Sequence, residues 1–513
     1  MAAEMRPGWR RRLRGPAWVS SFALCLLVVP TPGLAQAGTA RFPDGYELEP
    51  LRPMSPHMVL GGGRPLHLDE VLSSVERHHP ALEAFAERVR SAEGLALAAD
   101  GGFDPILAAR GTVSALGYYE YGRLDISVTQ ATPLYGASLM VGYRIGRAVD
   151  DGERFPAYYG EDETLDGGEL RAGLMVPLLR DGWTDPRRAG IERAGLATDV
   201  ARAELDANAL RLRLAATESY LRWVAAGRKL EIAEALLTLA EDRDGQLAGR
   251  VAAGALAAIE HLENRRAVLE RRQGLVAAMR AVERAAIALS LYLRSEDGAP
   301  LVAAASRYPG LDGSSEPLAI DEAEALALAL EFRPEMARMR ARLRSAVVAS
   351  ELAENQLLPR LDVTVTGSMD VGADSNDSTV DRLGPPVLAG MATLSLPLFF
   401  REGLGRRDAA VAEASAVSAD ATLVSDTITL EVRDALSALR AAEASLELAT
   451  ESQRIAEAVA VAERARFEAG ATTLLIVNLR EATAAQAASS WVDARIELEF
   501  AHARVHAATG RWP

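Results

Sequence analysis

Leu396-Pro-Leu-Phe-Phe-Arg-Glu-Gly403 stands between two kinds of sequence. Before it, Leu361-Asp-Val-Thr-Val-Thr-Gly-Ser-Met369 alternates apolar and polar residues, and Leu388 to Leu396 follows after a loop rich in Asp, Asn, Ser and Pro. Period-two alternation over that length predicts strands with one apolar face. After it, no proline occurs until Pro513, and the stretches 406–469 and 471–509 contain no glycine either. Both are rich in Ala, Leu, Glu and Arg, the strong helix formers. The first, about 64 residues at 1.5 Å each, predicts a helix of roughly 95 Å. Val417, Val424, Ile428, Val432, Leu439 and Leu446 recur at the fours and sevens of coiled-coil packing.

The same handover occurs earlier in the chain. Val176-Pro-Leu-Leu-Arg-Asp-Gly182 precedes a second long run without proline, from 187 to 299, with a glycine cluster at Gly245, Gly249 and Gly254. Strand candidates before it are Ile106–Ser114, Leu124–Thr129, Ser138–Arg147 and Glu169–Val176. This half therefore holds more strand material than the second. Tyr118, Tyr119, Tyr121, Tyr135, Tyr143, Phe155, Tyr158 and Tyr159 cluster among these strands. Aromatics gather where an apolar band meets water, and also in ordinary sheet packing.

Extending the comparison reveals a duplication. Pro80 and Pro105 have the spacing of Pro334 and Pro359. On that alignment Arg88-Val-Arg-Ser-Ala92 lies over Arg342-Leu-Arg-Ser-Ala346. Leu66-His-Leu-Asp-Glu70 recurs as Leu318-Ala-Ile-Asp-Glu322, and Arg250-Val-Ala-Ala-Gly254 as Arg466-Phe-Glu-Ala-Gly470. Each half reads as helix, strands, very long helix, tight turn, helix. The expected organisation is a signal peptide (1–37), an N-terminal extension (38–65), a first repeat (66–296), a linker rich in Gly, Pro, Ser and Asp (297–317), a second repeat (318–509) and a short tail (510–513). Two strands per repeat cannot close a barrel within one chain. Several copies can, and a closed barrel removes the exposed edges.

Composition narrows the function. The 513 residues carry a formal charge of −15, which argues against a nucleic-acid binder. Lys229 is the sole lysine and Cys25 the sole cysteine. A phosphate loop, a lysine Schiff base elsewhere, intrachain disulfides and cysteine-based zinc sites are thereby excluded. Arg6, Arg10, Arg11, Arg12 and Arg14, an apolar stretch from Val19 to Val29, and Ala35-Gln-Ala37 have the three-part layout of a secretory signal peptide cleaved after Ala37. The mature chain would lose five arginines and Glu4, reaching about −19. No other stretch reaches 18 uninterrupted apolar residues, so a membrane form of this chain would cross as strands.

These motifs, in this order and twice over, resemble the TolC family of outer-membrane efflux proteins. The resemblance covers the mature chain. Its carriers are the Leu-x-[Leu/Ile]-Asp-Glu openings, Leu357-Leu-Pro-Arg-Leu361 entering a strand, the Pro-Leu-[Leu/Phe] exits and the two Arg-x-x-x-Gly turns. It implies a mostly α protein with a membrane β part. It further implies a homotrimer in which each chain gives four strands to a 12-strand β-barrel, continued by an α-helical periplasmic tunnel. Such a channel sits in outer-membrane lipid. It takes substrate from an inner-membrane pump through a periplasmic adaptor, without a cofactor.

By position, Arg250, Gly254, Arg466 and Gly470 correspond to the periplasmic tip, where the adaptor docks and the closed entrance is constricted. Family members can carry aspartates six and nine residues after the second-repeat glycine. This chain has Ile476 and Leu479 there, and Glu260 and Glu263 at the same offsets in the first repeat. The expectation is an apolar constriction of Leu475, Ile476 and Leu479 backed by Glu260, gating by dewetting. The competing reading places those three residues in a helix–helix core. Trp183, Phe399 and Phe400 lie where strands hand over to helices, either as a membrane-interface belt or as packing. The segment 124–147 is either an added hairpin or an extension of barrel strands.

No catalytic constellation is apparent. His502 and His506 are four apart on a helix with no third ligand near them in sequence, which favours a surface pair. Gly61-Gly-Gly63 has no strand before it, so it is no dinucleotide loop. An adaptor would have one hairpin flanked by small β domains. A secreted coiled-coil scaffold would leave the alternating strands unexplained.

Overall fold

A computed structural model of the protein describes residues 58–60, 64–116, 120–148, 163–255, 257–304, 307–310, 320–372 and 385–512. The signal peptide, Tyr118, Tyr119, Phe155, Tyr158, Tyr159 and most of the linker lie outside the described residues. The chain divides into a strand unit, holding Ala96–Arg193 and Val347–Val411, and a helical unit, holding Ala194–Ala346 and Ala412–Pro513 with the segment ending at Leu95.

The strand unit contains one antiparallel sheet. Its strands are β2 (Ile106–Ser114), β3 (Tyr121–Ala131), β4 (Ser138–Ala148), β5 (Glu169–Pro177), β7 (Arg360–Asp370) and β8 (Val387–Ser395). They lie in the order β2-β3-β4-β5-β7-β8, so every neighbour in space is the next of these strands in sequence. Every strand candidate formed, within three residues of its expected ends. The strand count differs from expectation: six strands, where the family resemblance implies four. The two extra strands are β3 and β4. The segment 124–147 is a hairpin in the middle of the sheet, β3 pairing with β2 over Tyr121–Thr129 and β4 with β5 over Ser138–Arg144. It forms because Leu124, Ile126 and Val128 alternate with Asp125, Ser127 and Thr129 as strictly as in the expected strands.

The helical unit repeats one arrangement twice. Helix α1 (Leu68–His78) is followed by α2 (Pro80–Asp100), and α5 (Glu322–Phe332) by α6 (Pro334–Asn355). Each pair meets at a proline, whose ring fits the first helical turn but forces the preceding residue out of the helix. The long helices are α3 (Pro186–Ala252, 67 residues) and α7 (Arg401–Glu468, 68 residues), each about 100 Å by the helical rise. They are followed by α4 (Ala258–Leu289) and α8 (Leu474–Thr509).

Two cores hold this unit together. In one, Val71 and Val75 of α1 pack on Ala216, Trp223 and Val224 of α3 and on Leu289 of α4. In the other, Ala325 and Ala329 of α5 pack on Ile428, Val432 and Leu439 of α7 and on Ala501 and Val505 of α8. The duplication read in the sequence is therefore a duplication of packing. Small residues at these contacts let long helices approach closely. The segment expected to be a linker contributes structure. Within it β6 (Leu301–Ala303) pairs in parallel with β1 (Met58–Leu60), and Leu301 and Ala303 are buried. Contrary to the expectation from the sequence, a strand thus stands directly before Gly61.

Candidate functional site

The pairing register sorts the sheet's side chains onto two faces. On one lie Leu107, Ala109, Val113, Leu124, Ile126, Val128, Leu139, Val141, Tyr143, Leu170, Leu174, Val363, Val365, Met369, Leu388, Ala392 and Leu394. Many of these apolar side chains are exposed, among them Leu107, Val141, Leu388 and Leu394. The opposite face is polar and carries a row of charges. Arg110, Asp125, Arg144, Glu169 and Asp370 stand opposite one another across five consecutive strands. Arg144 Nε donates to Asp125 Oδ1 at 3.0 Å and reaches Glu169 at 3.6 Å, and Arg123 and Arg171 also pair with Asp125. A sheet with one charged face and one exposed apolar face has the sidedness of a membrane barrel wall. Among the described residues, no helix is long and apolar enough to cross a membrane.

Aromatic residues mark the strand–helix handover. Trp183, between β5 and α3, is 74% exposed, and Phe399, between β8 and α7, is 76% exposed with Arg401 over its ring. Neither is packed in a core of its own chain. Phe400 is half-buried and adopts a left-handed conformation at φ 49°. Tyr135, in the β3–β4 turn, joins this end of the sheet, its hydroxyl donating to the Leu178 carbonyl at 3.3 Å.

The two Arg-x-x-x-Gly segments fold identically. At the end of α3, Gly254 has φ 69°; its N–H donates to Val251 O at 2.9 Å, and Ala255 N–H donates to Arg250 O at 2.9 Å. At the end of α7, Gly470 has φ 73°; its N–H donates to Phe467 O at 3.0 Å, and Ala471 N–H donates to Arg466 O at 2.8 Å. This is the Schellman cap. The spacing is explained by it: the arginine carbonyl is the acceptor reached from the residue after the left-handed glycine. Open space surrounds both glycines, so the backbone angle alone asks for glycine here.

Beyond the second turn, α8 turns two stripes in different directions. Leu474, Val477 and Glu481 are buried, while Leu475 and Leu479 are each 59% exposed and Ile476 is 39% exposed. The three candidate constriction residues therefore stand outside their own chain's core. In the first repeat, Glu260 and Glu263 are half-buried. Glu263 accepts from Arg266 at 2.7 Å, and that hydrogen bond holds its carboxyl below the usual range. Ile259 and Leu262 beside them are exposed.

One group near the turns was not singled out from the sequence. Glu481 is 3% exposed and meets three guanidiniums from three other helices. Arg243 of α3 binds Glu481 Oε1 and donates to Asn478 Oδ1 at 2.9 Å. Arg271 of α4 donates to Glu481 Oε2 at 3.0 Å and to the Leu236 carbonyl at 2.8 Å. Arg464 of α7 lies 3.7 Å from Oε1. Burial pulls the Arg271 guanidinium below its ordinary value, and Glu481 opposes that pull. A signal existed: Glu481 completes the 474, 477, 481 stripe, a position that coiled-coil spacing reserves for apolar residues.

The fold is that of bacterial outer-membrane channels. It is similar to the outer-membrane channel OprN at TM-score 0.61 and 16% identity, covering 87% of this chain and 90% of that one. The outer membrane protein VceC of Vibrio cholerae matches at TM-score 0.60 and 17% identity, over 86% of this chain and 96% of that one. The CmeC outer membrane channel of Campylobacter jejuni matches at 0.59 and 14%, over 86% and 85%. Residues 325–511 match the model of the outer membrane efflux protein family. Compared with curated proteins, the sequence matches none.

Proposed function

We propose that the chain is the outer-membrane exit duct of a tripartite efflux or type I secretion system. Three copies form a β-barrel in outer-membrane lipid and an α-helical periplasmic tunnel. An inner-membrane pump and a periplasmic adaptor supply the substrate, which is a small molecule, a metal or a protein. The observation that carries this reading is the two-faced sheet with its apolar face bare. An adaptor or a secreted scaffold has no use for such a face in water. The family match and the fold of the similar channels support the same reading.

Within it, Arg250, Gly254, Arg466 and Gly470 belong to the periplasmic tip that meets the adaptor. Leu475, Ile476 and Leu479 narrow the entrance, backed by Glu260 and Glu263. Trp183, Phe399 and Phe400 seat the barrel at the inner membrane surface. Glu481 is the tie that joins α8 to the three neighbouring helices near that entrance. The outward exposure of the three apolar residues favours the constriction over the core reading. The test is electrophoresis of the detergent-extracted protein, heated and unheated, with conductance recorded in a planar bilayer. A heat-labile trimer with small conductance is expected. A monomer that never inserts overturns the proposal.

A further inference from the structure

The sheet has two more strands than a four-strand contribution, and nothing about them is peripheral. The strands β3 and β4 are each 11 residues long and occupy interior positions in the strand order. Their faces continue the sidedness of the sheet, with Ile126 and Val141 apolar and Asp125 and Arg144 on the charged side. Their connecting turn is built into the β5 exit. Thr132 N–H donates to Ala137 O at 2.8 Å, and Tyr135 binds Leu178. Gly136 lies against the Asp181 carbonyl, and Gly182 lies against the Tyr135 ring, with no room for a Cβ at either. A hairpin merely resting on a completed sheet would need none of this.

The free edges are β2 and β8, the first and last strands, and both expose nearly every residue. Because the number of strands is even, β2 and β8 run in opposite directions. A β8 edge therefore meets the β2 edge of another copy antiparallel, with apolar faces continuous from Leu388 and Leu394 to Leu107 and Val113. In lipid, an open edge leaves backbone groups without hydrogen-bond partners, so closure is obligatory. We propose that three copies pair β8 to β2 around a ring of eighteen strands, with β3 and β4 as full staves. This rests on the channel reading above. At equal tilt such a barrel is about half as wide again as one of twelve strands, in the range that leaves an aqueous lumen.

The test uses the full-length protein carrying Cys25→Ser, with single substitutions Ile126→Cys, Val141→Cys or, as reference in β5, Leu174→Cys. Each is labelled with a fluorophore, reconstituted in vesicles, and challenged with a nitroxide-bearing lipid and a water-soluble quencher. Lipid quenching at positions 126 and 141 within about twofold of that at 174 is expected for staves. Quenching at 174 by lipid but at 126 and 141 only from water overturns the eighteen-strand barrel and leaves the channel standing. Lipid quenching at none of the three removes the channel reading and this proposal together. Closure is tested by pairing Ala109→Cys with Gly390→Cys, Ala392→Cys or Leu394→Cys in turn. Oxidation is expected to give covalent trimers for at least one pair. Absence of cross-linking in all three, with labels at 126 and 141 in lipid, overturns the β8–β2 seam.

Discussion

Glu481 is a carboxylate in a stripe that otherwise buries leucine and valine. Its side chain makes two buried arginines, Arg243 and Arg271, tolerable in a nearly dry place, and removing the charge strands them. Breaking a buried pair from one side costs about 3–5 kcal/mol. Glu481→Gln is therefore expected to lower the melting temperature and to raise bilayer conductance by loosening α8 from α3, α4 and α7. An unchanged melting temperature would deny the tie its structural weight. His79 gives a second expectation. It is buried, its Nδ1 accepts from Ala81 N–H, and its ring stacks on Tyr292. Burial, with Arg294 nearby, holds its imidazole below the ordinary 6.5. Above 6.5 neither the folded nor the unfolded chain holds the proton. As pH falls below it the unfolded chain binds the proton first, so stability is lost toward the lowered folded value. The melting temperature of His79→Gln is expected to fall less than wild type between about pH 7 and pH 5.

At the scale of elements, the turns and the α8 stripe decide behaviour. Replacing Gly254 or Gly470 with alanine puts a Cβ into the left-handed region at about 1–2 kcal/mol. The two variants are expected to destabilise alike, because both caps are the same and both have open surroundings. A large inequality, read by thermal unfolding, would mean that one turn bears on a neighbour. Serine at Leu475, Ile476 and Leu479 together is expected to raise conductance with little change in melting temperature, since these residues stand outside the chain's buried core. A steep loss of stability with no rise in conductance would return them to a core. The elements themselves were legible in the sequence. Period two gave the strands, absence of breakers gave the long helices, and Arg-x-x-x-Gly gave the caps. Membership of β3 and β4 in the sheet was not, because alternation names a strand without naming its neighbours. The charged row from Arg110 to Asp370 needs the register of five strands, and no local pattern contains that. Glu481 was hidden for a related reason: its partners lie 238, 210 and 17 residues away in sequence.

For the whole molecule, duplication sets the plan and the differences between repeats set the detail. Both repeats bury a short helix against a long one, and both end their long helices alike. The first repeat supplies four strands of the main sheet and the second supplies two. The position eleven residues after the turn glycine is Arg265 in the first repeat and Glu481 in the second. The trimer is expected to resist detergent at room temperature and fall apart on heating, as a barrel whose seams are backbone hydrogen bonds in lipid should. Migration as a monomer without heating would contradict the β8–β2 seam.

The two identical caps followed by unlike helices bear on symmetry. The proposed ring of three duplicated chains would present six matching turns and look sixfold at the level of the backbone. Its chemistry repeats only three times, because an acidic, half-buried turn neighbourhood at Glu260 and Glu263 alternates with an apolar one at Ile476 and Leu479. Any partner that grips the ring must then either share the threefold axis or offer two distinct grips, one for each kind of turn.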